Sequence, residues 1–109
     1  MTDEKILEVV ERYRNLFETL DIAQIDYPHD QMLDSPEYEM SLGHCHGMLD
    51  KIVDYIRNGR RDKAFRWLGF VQGVLFVNKI FTIGDLANHN RPTETQEVEK
   101  DGTDEKSCT

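Results

Sequence analysis

Asn58-Gly59 leaves almost no room for a loop. An apolar helical stripe runs up to Tyr55 and Ile56 before it, glycine suits the left-handed position just past a helix end, and a helical pattern resumes at Arg60. Helices joined by so short a turn form an antiparallel hairpin. The spacing predicts helices over 36–58 and 60–79. Ser35-Pro36-Glu37 gives the first of them an N-cap, a proline at its first helical position and an early acid.

The remaining segments add to that hairpin. Thr2 caps a helix over 3–20 that has acids in its first turn, and Ile6, Val9, Val10, Tyr13, Leu16, Phe17 and Leu20 form an amphipathic stripe. "AQIDYPHDQMLD" has no period and reads as a connection whose Ile25, Tyr27 and Met32 are free to fold back on the core. Thr82 and Asp85 have capping-box spacing and open a short helix over 83–89, which Pro92 closes. The expected fold is therefore all-α: one domain over 1–91, followed by an acidic disordered tail over 92–109. The tail has six acids against two bases, half of the net charge of −8.

That charge disfavours direct DNA binding, because non-specific affinity for a phosphate backbone needs a positive surface. No apolar stretch is long enough for a membrane span. "MTDEKILEVV" lacks the basic start of a secretory signal, and Cys45 and Cys108 make no disulfide framework, so a cytoplasmic, reducing setting is expected. At 109 residues the chain is short for a comfortable core, which favours a homo-oligomer.

The second hairpin helix holds its core on Cys45, Leu49, Ile52 and Ile56, with Gly43 and Gly47 on the opposite face. The third helix repeats the glycine pair as Gly69 and Gly73 and is apolar all round, a pattern that asks for neighbours on two sides. Each mid-helix glycine costs about 0.8–1.0 kcal/mol relative to alanine, so a close approach should offset it. Either another helix of the same chain packs on the strip between Phe65 and Phe76, or the strip is a self-association surface or ligand cleft, with Arg66 and Gln72 at its margins.

No catalytic residues are expected. His44 and His46 in "GHCHG" lie two apart and point to opposite flanks of Cys45, which excludes a shared metal within one helix, and both read as boundary residues around a buried thiol. Asp50 and Asp54 share a polar face and read as solvated. Neither "GFVQG" nor "NGRRDK" is a phosphate loop. The chain reads as a non-enzyme with no cofactor and no metal. Its basic concentration, with Arg60, Arg61, Lys63 and Arg66, falls at the N-terminal end of the third helix, where cations are disfavoured. That mismatch suggests an anion site, with Trp67 or Phe65 as a stacking face.

"DKAFRWLGFVQGVLFVNKIFTIGDLANHNRP", Asp62 to Pro92, resembles small proteins encoded by tailed bacteriophages that share an RWLGFxQGxL pattern, a TI-x-[DE]-L type segment and an asparagine-rich end. "HCHGML" has the same look. The resemblance implies a phage accessory role in host takeover or counter-defence, exerted by binding and blocking a host protein. The alternative is an oligomeric sponge that sequesters a small anionic ligand such as a nucleotide immune signal. Arg60, Arg61 and Arg66 would then meet phosphate, and Trp67 or Phe65 would stack on the base.

Overall fold

The computed structural model describes residues 1–33 and 38–92. Four helices follow one another: α1 (Asp3–Thr19), α2 (Tyr38–Arg57), α3 (Arg61–Val77) and α4 (Ile83–Asn90), and no strand occurs among the described residues. The tail over 93–109 and the expected cap at Ser35-Pro36-Glu37 lie outside the described residues.

The helix starts follow the sequence signals. Thr2 Oγ1 accepts the Lys5 amide at 3.0 Å, and Thr82 and Asp85 exchange side-chain-to-backbone bonds in a full capping box. The ends of α1, α2 and α3 share one geometry. α2 stops in a left-handed Gly59 at φ 75°, with Arg60 N–H donating to Tyr55 O and Gly59 N–H to Ile56 O. α1 and α3 stop the same way through Asp21 at φ 61° and Lys79 at φ 64°, each followed by a buried or half-buried isoleucine whose amide reaches back five residues. These ends come before the expected residues 20 and 79, because neither Asp21 nor Lys79 announces a left-handed turn as glycine does.

α2 and α3 form the hairpin and make the most extensive contact, α1 packs mainly on α2, and α4 rests on α1. The core takes Ile6, Val9, Tyr13 and Phe17 from α1, Leu42, Cys45, Leu49 and Ile52 from α2, and Ala64, Leu68, Val71 and Leu75 from α3. Cys45 is a buried free thiol whose burial pushes its pKa up to about 12.

The segment joining α1 to α2 explains the first glycine pair. It crosses the face of α2 that carries Gly43 and Gly47, and Ile25 N–H donates to Gly43 O at 2.9 Å. A methyl added at Gly43 would lie 2.7 Å from Ile25 Cδ1 and 2.8 Å from the Ala23 carbonyl oxygen, and one at Gly47 would lie 3.1 Å from Ile25 O. His46, expected at a boundary, is buried beside them. It stacks near Phe17 and donates from Nδ1 to the Ile22 carbonyl at 2.7 Å. The face opposite the hairpin core is thus a second packing surface, shaped to take backbone. Ile25 and Tyr27 fold back onto it, whereas Met32 remains exposed.

Candidate binding surfaces of α3

The circumference of α3 divides into three sectors. Ala64, Leu68, Val71 and Leu75 face the core. Arg66, Trp67, Phe70 and Val74 line a cleft against α2 and the α1–α2 connection, and Phe65, Gly69, Gly73 and Phe76 lie on the outer side.

Gln72 was expected at the margin of a binding strip, and the structure places it elsewhere. Its amide donates to Tyr13 Oη at 3.0 Å and to Asn90 Oδ1 at 2.8 Å, while Asn90 donates back to Gln72 Oε1 at 3.2 Å. With Gln72 as donor, the Tyr13 hydroxyl directs its proton to His89 Nδ1 at 2.7 Å, and His89 therefore carries its own proton on Nε2. This cluster pins α4 to α1 and α3. Burial pushes the Tyr13 phenol to about 12 and lowers the His89 pKa, with Arg12 and Lys5 adding repulsion that Asp85 partly offsets.

A pH dependence follows. Protonating His89 removes the acceptor from the Tyr13 hydroxyl and places a cation in a desolvated site. The unfolded imidazole, at its ordinary 6.5, takes a proton more readily than the folded one, so stability is full above that value and declines as pH falls through the lowered folded value. His44 is shifted in the same direction and adds to the loss. Urea unfolding at pH about 7.5 and about 5.5 should give a lower midpoint at the acidic value, and a His89→Asn variant should show a smaller difference. Equal midpoints in the parent chain would show that neither imidazole is desolvated as described.

The basic end of α3 is engaged within the chain. Arg61 Nε meets Asp3 Oδ1 at 2.7 Å, and that carboxylate raises the guanidinium pKa. Arg60 lies over the Tyr55 ring, and Lys63 lies over both Tyr55 and Trp67. The cations that looked misplaced at a helix N-terminus are answered by an acid from α1 and by aromatic faces. Arg60 and Arg61 do not line the cleft, and of the expected phosphate contacts it holds Arg66 alone.

The cleft has a volume of roughly 580 Å³. Its apolar walls come from Trp67, Phe70 and Val74 on one side and Met40 and Met48 on the other, with Tyr27 and Leu33 from the connection. Its described lining contains Arg66, His29 and His44 but no carboxylate. Tyr27 N–H donates to His44 Nδ1 at 3.4 Å, and desolvation, followed by the nearby His29, lowers the His44 pKa. Asp26 and a hydrogen bond to the Ile25 backbone act in the opposite direction, and with Nδ1 accepting from Tyr27 the neutral ring carries its proton on Nε2. Phe70 stands edge-on to His44 with centroids 6.5 Å apart. His44, Phe70, Met48 and Tyr27 were not expected at a site, since only the crossing of the connection over α2 brings them to Trp67.

On the outer side, no described residue approaches within 4 Å of the Cβ positions of Gly69 and Gly73. Neither α1 nor α4 packs there, which corrects the expectation of an internal helix contact. Phe65 and Phe76 are half exposed beside them. Among the described residues no three His, Cys, Asp or Glu side chains converge as a metal set, and no described helix is long and apolar enough to cross a membrane. No protein-family model, curated protein or solved structure matches the chain.

Proposed function

We propose that this chain is a non-enzymatic binding protein that holds a flat anionic small molecule in the cleft between α2, α3 and the α1–α2 connection. The supporting observation is that Arg66, Trp67, Phe70 and a neutral His44 share one cleft whose described lining has no carboxylate. Its volume is in the range of small-molecule sites, apolar walls favour a ring, and a guanidinium fork suits a phosphate or carboxylate. Net charge of −8 works against anions at long range, so affinity depends on Arg66 and on the His44 N–H at contact distance. Ser41 is no nucleophile in this arrangement, as its hydroxyl donates to Tyr38 O and accepts from Asn78. In the phage setting that the sequence resemblance implies, the ligand is a nucleotide signal and the function is sequestration.

Thermal unfolding against cyclic and linear nucleotides tests this reading. A ligand bound only by the folded chain at one hundred times its Kd adds about 2.7 kcal/mol of stability, and Arg66→Ala and Trp67→Ala should each remove that shift. A flat response across the panel would leave the second reading, a blocker of a host protein, which the half-exposed Phe65 and Phe76 on the outer side of α3 favour. Its mark is a basic host protein retained in a salt-sensitive manner.

A further inference from the structure

We propose that the outer face of α3 pairs with the same face of a second copy of this chain, the two helices running antiparallel and crossing at Gly69 and Gly73. This does not rest on the cleft, which shares only Arg66, at its edge, with this face.

The face is open and apolar. Phe65 is 50% exposed, Phe76 46% and Val77 73%, and the glycines between them leave bare backbone. A helix seated there reaches the short end of the usual 8–10 Å interaxial range. Among the described residues no such neighbour exists, and an approach by a second copy would offset the propensity cost of two mid-helix glycines.

The pattern is self-complementary. Phe65 and Phe76 are eleven residues apart, three turns, and therefore lie about 20° from each other on one flank of the glycine strip; Arg66 and Val77 have the same relation on the other flank. A two-fold axis across the midpoint of Gly69 and Gly73 sets each Gly69 against Gly73 of the other copy. The same axis brings Phe65 against Phe76 of the second copy, and Arg66 against its Val77. A parallel pairing, whose two-fold runs along the helices, would instead set the Phe65 and Phe76 flank against the Arg66 and Val77 flank and leave the basic ends together. The partner end is also shaped for this: beside Phe76, the residues Val77, Ile80 and Phe81 wall an open hollow with Asp85 at its rim, placed to take the Phe65 ring.

Charge runs the same way. The antiparallel arrangement sets the N-terminal end of each α3, where Arg60 and Arg61 keep their contacts with Tyr55 and Asp3, beside the C-terminal end of the other, whereas Lys79 on that rim offsets part of the attraction. The area suffices. Phe65, Phe76 and Val77, at about 100 Å² each per copy, give on the order of 600 Å² of apolar surface for the pair. Because such interfaces are roughly 60% apolar, the total reaches the approximately 1,000 Å² that a specific contact requires.

Light scattering on the full chain without added nucleotide, over a concentration series, should give twice the 12.8 kDa mass of one chain. Gly69→Leu and Gly73→Leu should raise the dimer dissociation constant by roughly ten- to a hundredfold, as overpacking at a close contact does. Since no described residue of the subunit meets either position, the variants should keep the parent helical circular dichroism. A monomeric parent chain, or a dimer unaffected by both leucine variants, overturns the proposal. So does a dimer lost only together with the helical signal, because the strip would then belong to the subunit. Nucleotide-induced thermal shifts are read in a separate assay, and their absence leaves this result standing.

Discussion

Gly43→Val should lower the melting temperature by on the order of 15 °C, while Gly69→Ala and Gly73→Ala should each raise it by a few degrees. The two pairs have identical spacing on adjacent helices, so helix propensity alone predicts the same sign for all. The surroundings decide otherwise. At Gly43 a new Cβ meets Ile25 Cδ1 at 2.7 Å and the Ala23 backbone carbonyl at 2.8 Å; the isoleucine can turn away, but the carbonyl belongs to a segment held by Ile25 N–H on Gly43 O and by His46 on Ile22 O. Overpacking there costs about 3 kcal/mol, and a domain of this size loses about 4–8 °C per kcal/mol. At Gly69 and Gly73 no described atom of the subunit lies within 4 Å, so in the chain diluted to the monomer a methyl gains the roughly 0.8–1.0 kcal/mol that separates glycine from alanine in a helix. Circular dichroism melts of the three variants check the prediction. A Gly43→Val chain as stable as the parent would mean that the connection does not lie on α2.

Phe17→Ala should cost about 3–5 kcal/mol, enough to leave a large fraction of the chain unfolded at elevated temperature. Phe17 is fully buried at the point where α1 ends, the connection begins and α2 passes beneath. Its carbonyl accepts the Ile22 amide at 2.9 Å, closing the left-handed turn at Asp21, and its ring lies 5.3 Å from that of His46. Truncation opens a cavity among atoms that also hold His46 in place, and the site can collapse little because the turn on one side and α2 on the other are fixed by backbone hydrogen bonds. Phe17→Leu should cost far less. Urea unfolding followed at constant m-value measures both; a loss near 1 kcal/mol for alanine would show that the connection is not anchored at this ring.

The sequence by itself determined the helices and their order, because the signals are local. Thr2, Thr82 with Asp85, and Asn58-Gly59 state where chain direction changes, and the three-and-four spacing of Ile6, Val9, Tyr13 and Phe17 states which side is buried. It also singled out both glycine pairs and Trp67 beside Arg66. Only the tertiary structure decided what each feature meets. The α1–α2 connection has no periodicity, so nothing local shows that it crosses Gly43 and Gly47, buries His46 and brings Tyr27 and His44 to Trp67. Gln72 is turned inward by Tyr13 and Asn90, fifty-nine and eighteen residues away in sequence, and Arg61 is answered by Asp3 at the start of the chain. Helix formation depends on neighbours a few residues apart, and a pattern records it. Packing of one side chain on another depends on where distant segments pass, which no single stretch of sequence encodes.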